Sequence, residues 1–383
     1  MTRPVVVAKT MPPQTESTAQ FNASVWRALD ARTTTHVVGW KNIYPRIPGR
    51  SALRDPGSVR PWTPRPEPML SWHDPRTWRR AVRQITELEA RAVILGWLHP
   101  VMAPPYRYLL SNLPADTQSV VVCHNVVTHE RVPLAAPLTR SALGRADLLV
   151  THAPQQRAEL EGLGIPGDRI LELFHPRYVP SELADPPSKW AVAAERARHD
   201  ADHVLLIYGA VRHYKGVDLA LEALARVDPA ARVKVIVAGR FWEGKDELLA
   251  LRGRLGLDDR VEFRDGYLSD AETAVLFSAC DAALLTYRSA TQSGVCQLAF
   301  GYGKPVIATR VGGLSSAVRD GVDGLLCSPE PAAIADSITS FAARCSALTA
   351  GVEPNPYATS FDRYGDLLLE RIDGGSSAAR RAA

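Results

Sequence analysis

Tyr208-Gly209-Ala210-Val211-Arg212-His213-Tyr214-Lys215-Gly216 is the stretch on which the reading of this chain turns. The run before it, Val204 to Ile207, is continuously apolar, as a strand buried on both faces requires. After it, Val217, Leu219, Ala220, Ala223 and Leu224 recur at helical spacing, so a helix starts near Lys215-Gly216. A strand that turns through glycine into a helix offers free backbone N–H groups and the positive end of the helix dipole, which together attract an anion. Arg212 and Lys215 add two full charges to that spot, and Lys215 is one of only seven lysines in the chain. Taken alone, the same residues read equally as a surface turn with two solvated cations, so the rest of the chain has to decide.

Outward from this turn, apolar runs alternate with helical patterns. Strands are expected at Val204–Tyr208, Val233–Ala238, Val261–Arg264, Ala282–Leu285, Val306–Ala308 and Gly324–Cys327, followed by a helix over Pro331–Arg344. A first set of strands is expected at Val5–Ala8, His36–Gly39, Ala92–Leu95, Ser119–Cys123 and Leu148–Thr151. Such alternation implies α/β architecture, with two Rossmann-like, doubly wound domains facing each other across a cleft. The expected division is an acceptor-binding domain over residues 1–178, a donor-binding domain over 190–355, a C-terminal helix over 357–372 returning to the first domain, and a disordered tail over 373–383. The break from His175 through Asp185-Pro186-Pro187 reads as the interdomain linker, and the Pro-rich stretch Pro61 to Pro68 as a long loop.

Composition narrows the partners. A net charge of +4 over 383 residues, without any Lys/Arg block, argues against a nucleic-acid surface. Five widely spaced cysteines without a C-x-x-C pair fit reduced, buried thiols. The N-terminus lacks a signal-type apolar region, so a cytoplasmic location is expected. No apolar run approaches the roughly 18–20 residues that span a bilayer.

The second half resembles the donor-binding domain of the retaining, GT-B-fold glycosyltransferases of family four, the group-one glycosyltransferases. The resemblance rests on the order and spacing of the quoted turn, Val237-Ala238-Gly239-Arg240-Phe241-Trp242-Glu243-Gly244-Lys245, Arg260 to Tyr267, Tyr287 to Val295, Gly303 to Thr309 and Val311-Gly312-Gly313-Leu314. The first half is similar to a branch of that family through Trp97-Leu98-His99-Pro100 and Cys123-His124-Asn125-Val126-Val127-Thr128-His129-Glu130. By this resemblance, Arg212 and Lys215 hold the donor diphosphate and stabilise the leaving nucleotide, and His124 lies near the reacting sugar. The same resemblance makes Gly209, Gly216, Arg240, Thr291, Gln292, Ser293, Gly294, Val295 and Gln297 donor-binding residues, with Tyr267 beside the nucleobase. Asn125, His129 and Glu130 are candidates for the acceptor, and Ser17 and Thr18 for a phosphate at the start of the first helix.

The chain also departs from the family's pattern. Two glutamates that many members place around the donor sugar are replaced here by Ala290 and Leu298, and Ser316 stands where another glutamate is common. The loop after the first strand lacks the usual Gly-Gly. Two motif matches carry little weight. Gly162-Leu163-Gly164-Ile165-Pro166-Gly167 fits a dinucleotide fingerprint literally but follows a helix. Asp200-Ala201-Asp202, flanked by His199 and His203, looks like a metal-binding D-x-D but precedes a strand at its amino edge.

The expected function is metal-independent, retaining transfer of a hexose or amino-hexose from a nucleoside-diphosphate sugar, UDP favoured, to a hydroxyl of a small soluble acceptor such as an aminoglycoside-type intermediate. No cofactor beyond that co-substrate is expected. The alternatives are a transferase of lipid or polysaccharide assembly at a membrane surface, and an inactive nucleotide-sugar-binding protein.

Overall fold

The apolar runs form two parallel sheets, one in each of two units, in the computed structural model of the protein, which describes residues 3–11, 18–43, 68–126, 134–354 and 356–375. One unit comprises Met1–Phe174 with Tyr357–Ala383, the other His175–Pro356.

In the first unit the chain runs β1 (Val5–Ala8), α1 (Ala19–Asp30), β2 (Thr35–Val37), β3 (Gly39–Asn42), β4 (Pro68–Ser71), α2 (Pro75–Glu87), β5 (Ala92–Trp97), α3 (Ala103–Asn112), β6 (Gln118–Cys123), α4 (Ala135–Leu143), β7 (Leu148–Thr151), α5 (Pro154–Gly162) and β8 (Ile170–Glu172). Six strands pair in the order β2-β1-β5-β6-β7-β8, all parallel. Parallel strands covered by helices on both faces have no polar side, and Val-Val-Val-Ala in β1 and Ala-Val-Ile-Leu-Gly-Trp in β5 are buried throughout. Helix α2 starts where Asp74 accepts a hydrogen bond from the Arg76 N–H and Pro75 occupies the first turn.

The second unit contains α6 (Pro180–Leu183), α7 (Lys189–Ala197), β9 (His203–Tyr208), α8 (Val217–Leu224), β10 (Val233–Ala238), α9 (Lys245–Arg254), β11 (Val261–Arg264), α10 (Asp270–Ala279), β12 (Ala282–Leu285), α11 (Gly294–Gly301), β13 (Val306–Thr309), α12 (Leu314–Ala317), β14 (Gly324–Cys327) and α13 (Pro331–Gly351). Its parallel sheet has the order β11-β10-β9-β12-β13-β14. Counted within each unit's main sheet, the orders read 2-1-3-4-5-6 in the first and 3-2-1-4-5-6 in the second, so the strand order of each sheet reverses direction beside its first strand: β1 against β5 in the first, β9 against β12 in the second. A final helix, α14 (Phe361–Gly375), belongs to the first unit, where Gly365 lies against Ala28 of α1 and Arg32 bonds Asp362 and Asp366.

Several expectations need correction. The segment His36–Gly39 is not one strand. It breaks at Val38, and β3 leaves the main sheet to pair with β4, a strand not expected at all. Trp40 causes the break: its indole is buried, donates to the Ala8 carbonyl at 3.3 Å and stacks on Tyr106. The first unit ends at Phe174 rather than at residue 178, because the residues expected to link the units are anchored in the second. Arg177 is buried with its guanidinium 4.4 Å from the centre of Phe300 and pairs with Asp323, while a Cβ on Gly301 would meet the Tyr178 carbonyl at 2.1 Å. Helix α13 continues past Arg344 to Gly351, and α14 absorbs Asp373 to Gly375 of the expected tail. Residues 61–67 of the Pro-rich stretch and 376–383 of the tail lie outside the described residues.

Candidate functional site

The glycine turn that follows β9 sits where the second sheet reverses direction. Doubly wound sheets bind ligands at the carboxyl end of that point. Gly209 has φ +90°, and a Cβ there would lie 3.1 Å from the Lys215 Nζ and 3.8 Å from a methyl of Val295. The turn thus brings Gly209, Lys215 and the first turn of α11 together. Gly216 has φ +62°, a conformation that L side chains adopt at a cost, and a Cβ there would meet the Thr286 carbonyl oxygen at 2.0 Å. That carbonyl belongs to the segment after β12, so the turn at Gly216 packs closely against the chain leaving β12. Thr286 adds a clasp, its hydroxyl donating to the carbonyls of Lys215 at 3.1 Å and Gly216 at 2.8 Å.

Lys215 is buried, and its ammonium donates to the Tyr208 carbonyl at 2.9 Å. Burial, and then the charge of Arg212, push the amine down from an ordinary 10.5 to about 8. The site therefore holds two cations whose mutual repulsion an incoming dianion would relieve. Because the unfolded chain keeps the ordinary value, it binds the Lys215 proton more tightly than the folded chain between about pH 8 and 10.5. Stability is thus reduced at neutral pH and recovers as pH rises through that window. An anion reverses the preference and takes up a proton on binding. The affinity for UDP should accordingly be flat between about pH 7 and 7.5, where its terminal phosphate is ionised, and fall up to about tenfold per pH unit above 8. Calorimetric titration at several pH values checks this, and the fall should vanish in Lys215→Met.

Trp242 was not among the expected site residues. Its ring lies 5.2 Å from the guanidinium carbon of Arg212 and 5.4 Å from that of Arg240, holding both cations over one indole. The loop that carries it is fixed by Asp265, which accepts from the Phe241 N–H at 3.0 Å and from Lys245 at 2.8 Å. No sequence spacing announces such a contact, because the two arginines leave different strands. Trp242→Leu should weaken UDP binding about 5- to 10-fold while Trp242→Phe stays within about 2-fold, read by the same titration.

Beyond β12, Arg288 makes a two-pronged ion pair with Asp218 at 2.8 and 2.6 Å and donates to the His213 carbonyl, closing the turn from its other side. Helix α11 begins at Gly294 with Ser293 as its cap, accepting from the Cys296 N–H at 3.2 Å. Thr291, Ser293 and Gln297 are buried, and the Gln292 amide reaches over Gly313, where a Cβ would lie 2.7 Å from its nitrogen. Ala290 is buried, and Ser316 bonds the Gly313 carbonyl, so neither position bears a sugar-binding carboxylate. Tyr267 follows β11 half-exposed and lines a cavity of about 580 Å³ with Glu195, Arg198, Arg264 and Glu272. None of the glycine-turn residues lines that cavity, so Tyr267 is not gathered with them there.

In the first unit His124 stands past the carboxyl end of β6, its N–H bonded to the Trp97 carbonyl and its ring edge-on to Phe21 at 5.0 Å. Gln156 fixes this corner: its amide donates to the carbonyls of Cys123 and His124, and its oxygen accepts from the His152 N–H. His152 in turn meets the Tyr364 hydroxyl at 3.0 Å. Asn125 is partly exposed beside His124. Thr18 caps α1 without a side-chain hydrogen bond to the helix. Ser17, His129 and Glu130 lie outside the described residues. Asp200 and Asp202 both face Arg232, at 2.5 and 3.2 Å, and among the described residues no group of three or more His, Cys, Asp or Glu could hold a metal ion. No helix among them is long and apolar enough to cross a membrane.

Comparison with known proteins falls on the same residues. Residues 202–344 match the family model described as glycosyl transferases group 1. The chain is 30% identical over 284 residues to a D-inositol 3-phosphate glycosyltransferase of Geodermatophilus obscurus, covering 67% of this chain and 62% of that protein. It is 30% identical over 253 residues to D-inositol 3-phosphate glycosyltransferase 1 of Catenulispora acidiphila, covering 61% and 60%. The chain thus spans about three fifths of the length of these relatives. Among solved structures, Anabaena HepE in complex with UDP matches with a TM-score of 0.72 at 16% identity, over 97% of this chain and 100% of that one. Sucrose-phosphate synthase from Thermosynechococcus elongatus matches with a TM-score of 0.72 at 17% identity, over 97% and 99%. The chain has the GT-B fold of two Rossmann-like units, and its residues 202–344 are similar to the glycosyl transferases of group 1.

Proposed function

We propose that this protein is a retaining glycosyltransferase that moves a sugar from a nucleoside-diphosphate sugar to a hydroxyl of a small polar acceptor. The observation that carries the reading is the pairing of Arg212 with the buried Lys215 at the glycine turn, where the second sheet reverses direction. Backbone N–H groups at the start of α11 and the two cations would take the charge that develops on the departing diphosphate, a contribution of several kcal/mol. Among the described residues gathered at the turn the one carboxylate, Asp218, is held by Arg288, which favours displacement on one face, the leaving phosphate oxygen accepting the acceptor's proton. No metal enters this scheme, since the two cations do the work that a metal ion does elsewhere.

UDP is the favoured nucleotide, supported by the solved relatives in complex with UDP. The names of the sequence relatives specify an inositol phosphate, which favours a cyclitol-type acceptor over a lipid. Incubation with UDP-sugars and a panel of cyclitol acceptors tests the reading: UDP release that depends on acceptor, with the anomeric configuration kept in the NMR spectrum of the product, supports it. Inverted configuration, or UDP binding without transfer to any acceptor, contradicts it.

A further inference from the structure

Lys9, the residue after β1, is 1% exposed, and among the described residues its ammonium has no hydrogen-bond partner. It stands where the first sheet reverses direction, beside β5, and its methylenes run over Gly96 of that strand at 3.5–3.6 Å from where a Cβ would be. Its nitrogen lies 5.6 Å from the centre of Phe21, and the rings around Phe21 are His124, His152, Phe361 and Tyr364. Among the described residues the thiol of Cys123 is the one acidic group that bears on it, and burial pushes that thiol up and keeps it neutral. No carboxylate among the described residues stands against the amine. Further polar atoms at the same edge are also buried without a hydrogen-bond partner among the described residues: the Thr18 hydroxyl at the start of α1, the side-chain oxygen of Asn22 one turn later, and the Thr151 hydroxyl at the end of β7.

An amine left this way is costly in the empty protein, and burial pushes it down to about 7. A methionine of similar shape would avoid the cost. What makes a buried ammonium favourable is a counter-charge, and unused hydroxyl and amide groups beside it suit a ligand that is both anionic and polyhydroxylated.

We propose that Lys9 anchors a phosphate or carboxylate group of the acceptor, so that the acceptor is an anionic, polyhydroxylated molecule. This rests on the glycosyltransferase reading given above and names the acceptor's class. Partly exposed His124 and Asn125 border the same edge. The anion would approach Lys9 from this edge.

With seven lysines in the chain, labelling lysine Cε with ¹³C gives a spectrum in which Lys9→Met and Lys215→Met assign the two signals of interest. UDP is added first to fill the donor site, then inorganic phosphate, D-inositol 3-phosphate or myo-inositol in separate samples. UDP should change the titration of Lys215 and leave that of Lys9 alone. Phosphate and the inositol phosphate should each raise the Lys9 midpoint from near 7 to above about 9, while myo-inositol should not. Lys9→Met should abolish that response and raise the melting temperature of the unliganded protein by about 3 °C or more. A Lys9 signal that ignores both phosphates, or that responds to UDP itself, overturns the proposal. So does a lower melting temperature in Lys9→Met, which would make the amine a structural element. A Lys215 signal that ignores UDP would instead defeat the donor-site reading and leave the Lys9 result to be judged by its own arm.

Discussion

Lys215→Met should fold, melt at a higher temperature than the wild type at pH 7, and lose about 10²- to 10³-fold in glycosyl transfer. The gain and the loss have one cause. The amine is buried beside Arg212 and held down to about 8, so removing it relieves desolvation and repulsion in the empty protein. In the liganded protein, the same change deletes a charge that faces the leaving diphosphate. A merely packed lysine would show the gain without the loss, and a structural hydrogen bond to Tyr208 would show a loss of stability. Thermal melts and single-turnover rates on the same preparation separate the three.

Gly216→Ala carries the other large effect. The added methyl meets the Thr286 carbonyl oxygen at 2.0 Å, well inside contact distance, on a backbone that already has φ +62°. Neither the carbonyl, which belongs to the segment bridging β12 and the turn, nor the start of α8 can yield without breaking the Thr286 clasp. The cost should reach about 3 kcal/mol or more and appear as a fall in the urea midpoint of the second unit. An unfolding midpoint within experimental error of wild type would mean that the turn is looser than the structure shows it.

Much of this architecture is readable from residues alone because parallel strands covered on both faces leave a simple signature: β1, β5, β6 and β7 are uninterrupted apolar runs, and β9 to β14 are spaced by helix-length segments. The glycine turn was legible for a similar reason, since glycines at positive φ and cations before a helix are local features. What escaped was non-local. Strands β3, β4 and β8 have three or four residues, too few for a period, and β3 is set by where the Trp40 indole finds a carbonyl and a ring. The linker read as free because prolines mark breaks, yet Arg177 and Tyr178 are locked into the second unit by Phe300, Asp323 and Gly301. Trp242 and Lys9 escaped because their significance lies in partners gained across loops, or missing, which no spacing records.

The donor site is tested most directly by calorimetric titration of the wild type and Arg212→Ala with UDP, GDP, ADP and TDP. Saturable binding of one nucleoside diphosphate, UDP foremost, weakened at least about tenfold in Arg212→Ala at unchanged melting temperature, is the predicted result. Binding that is equal in the two proteins, or no binding of any of the four, would contradict the assignment of the β9 turn as the diphosphate site.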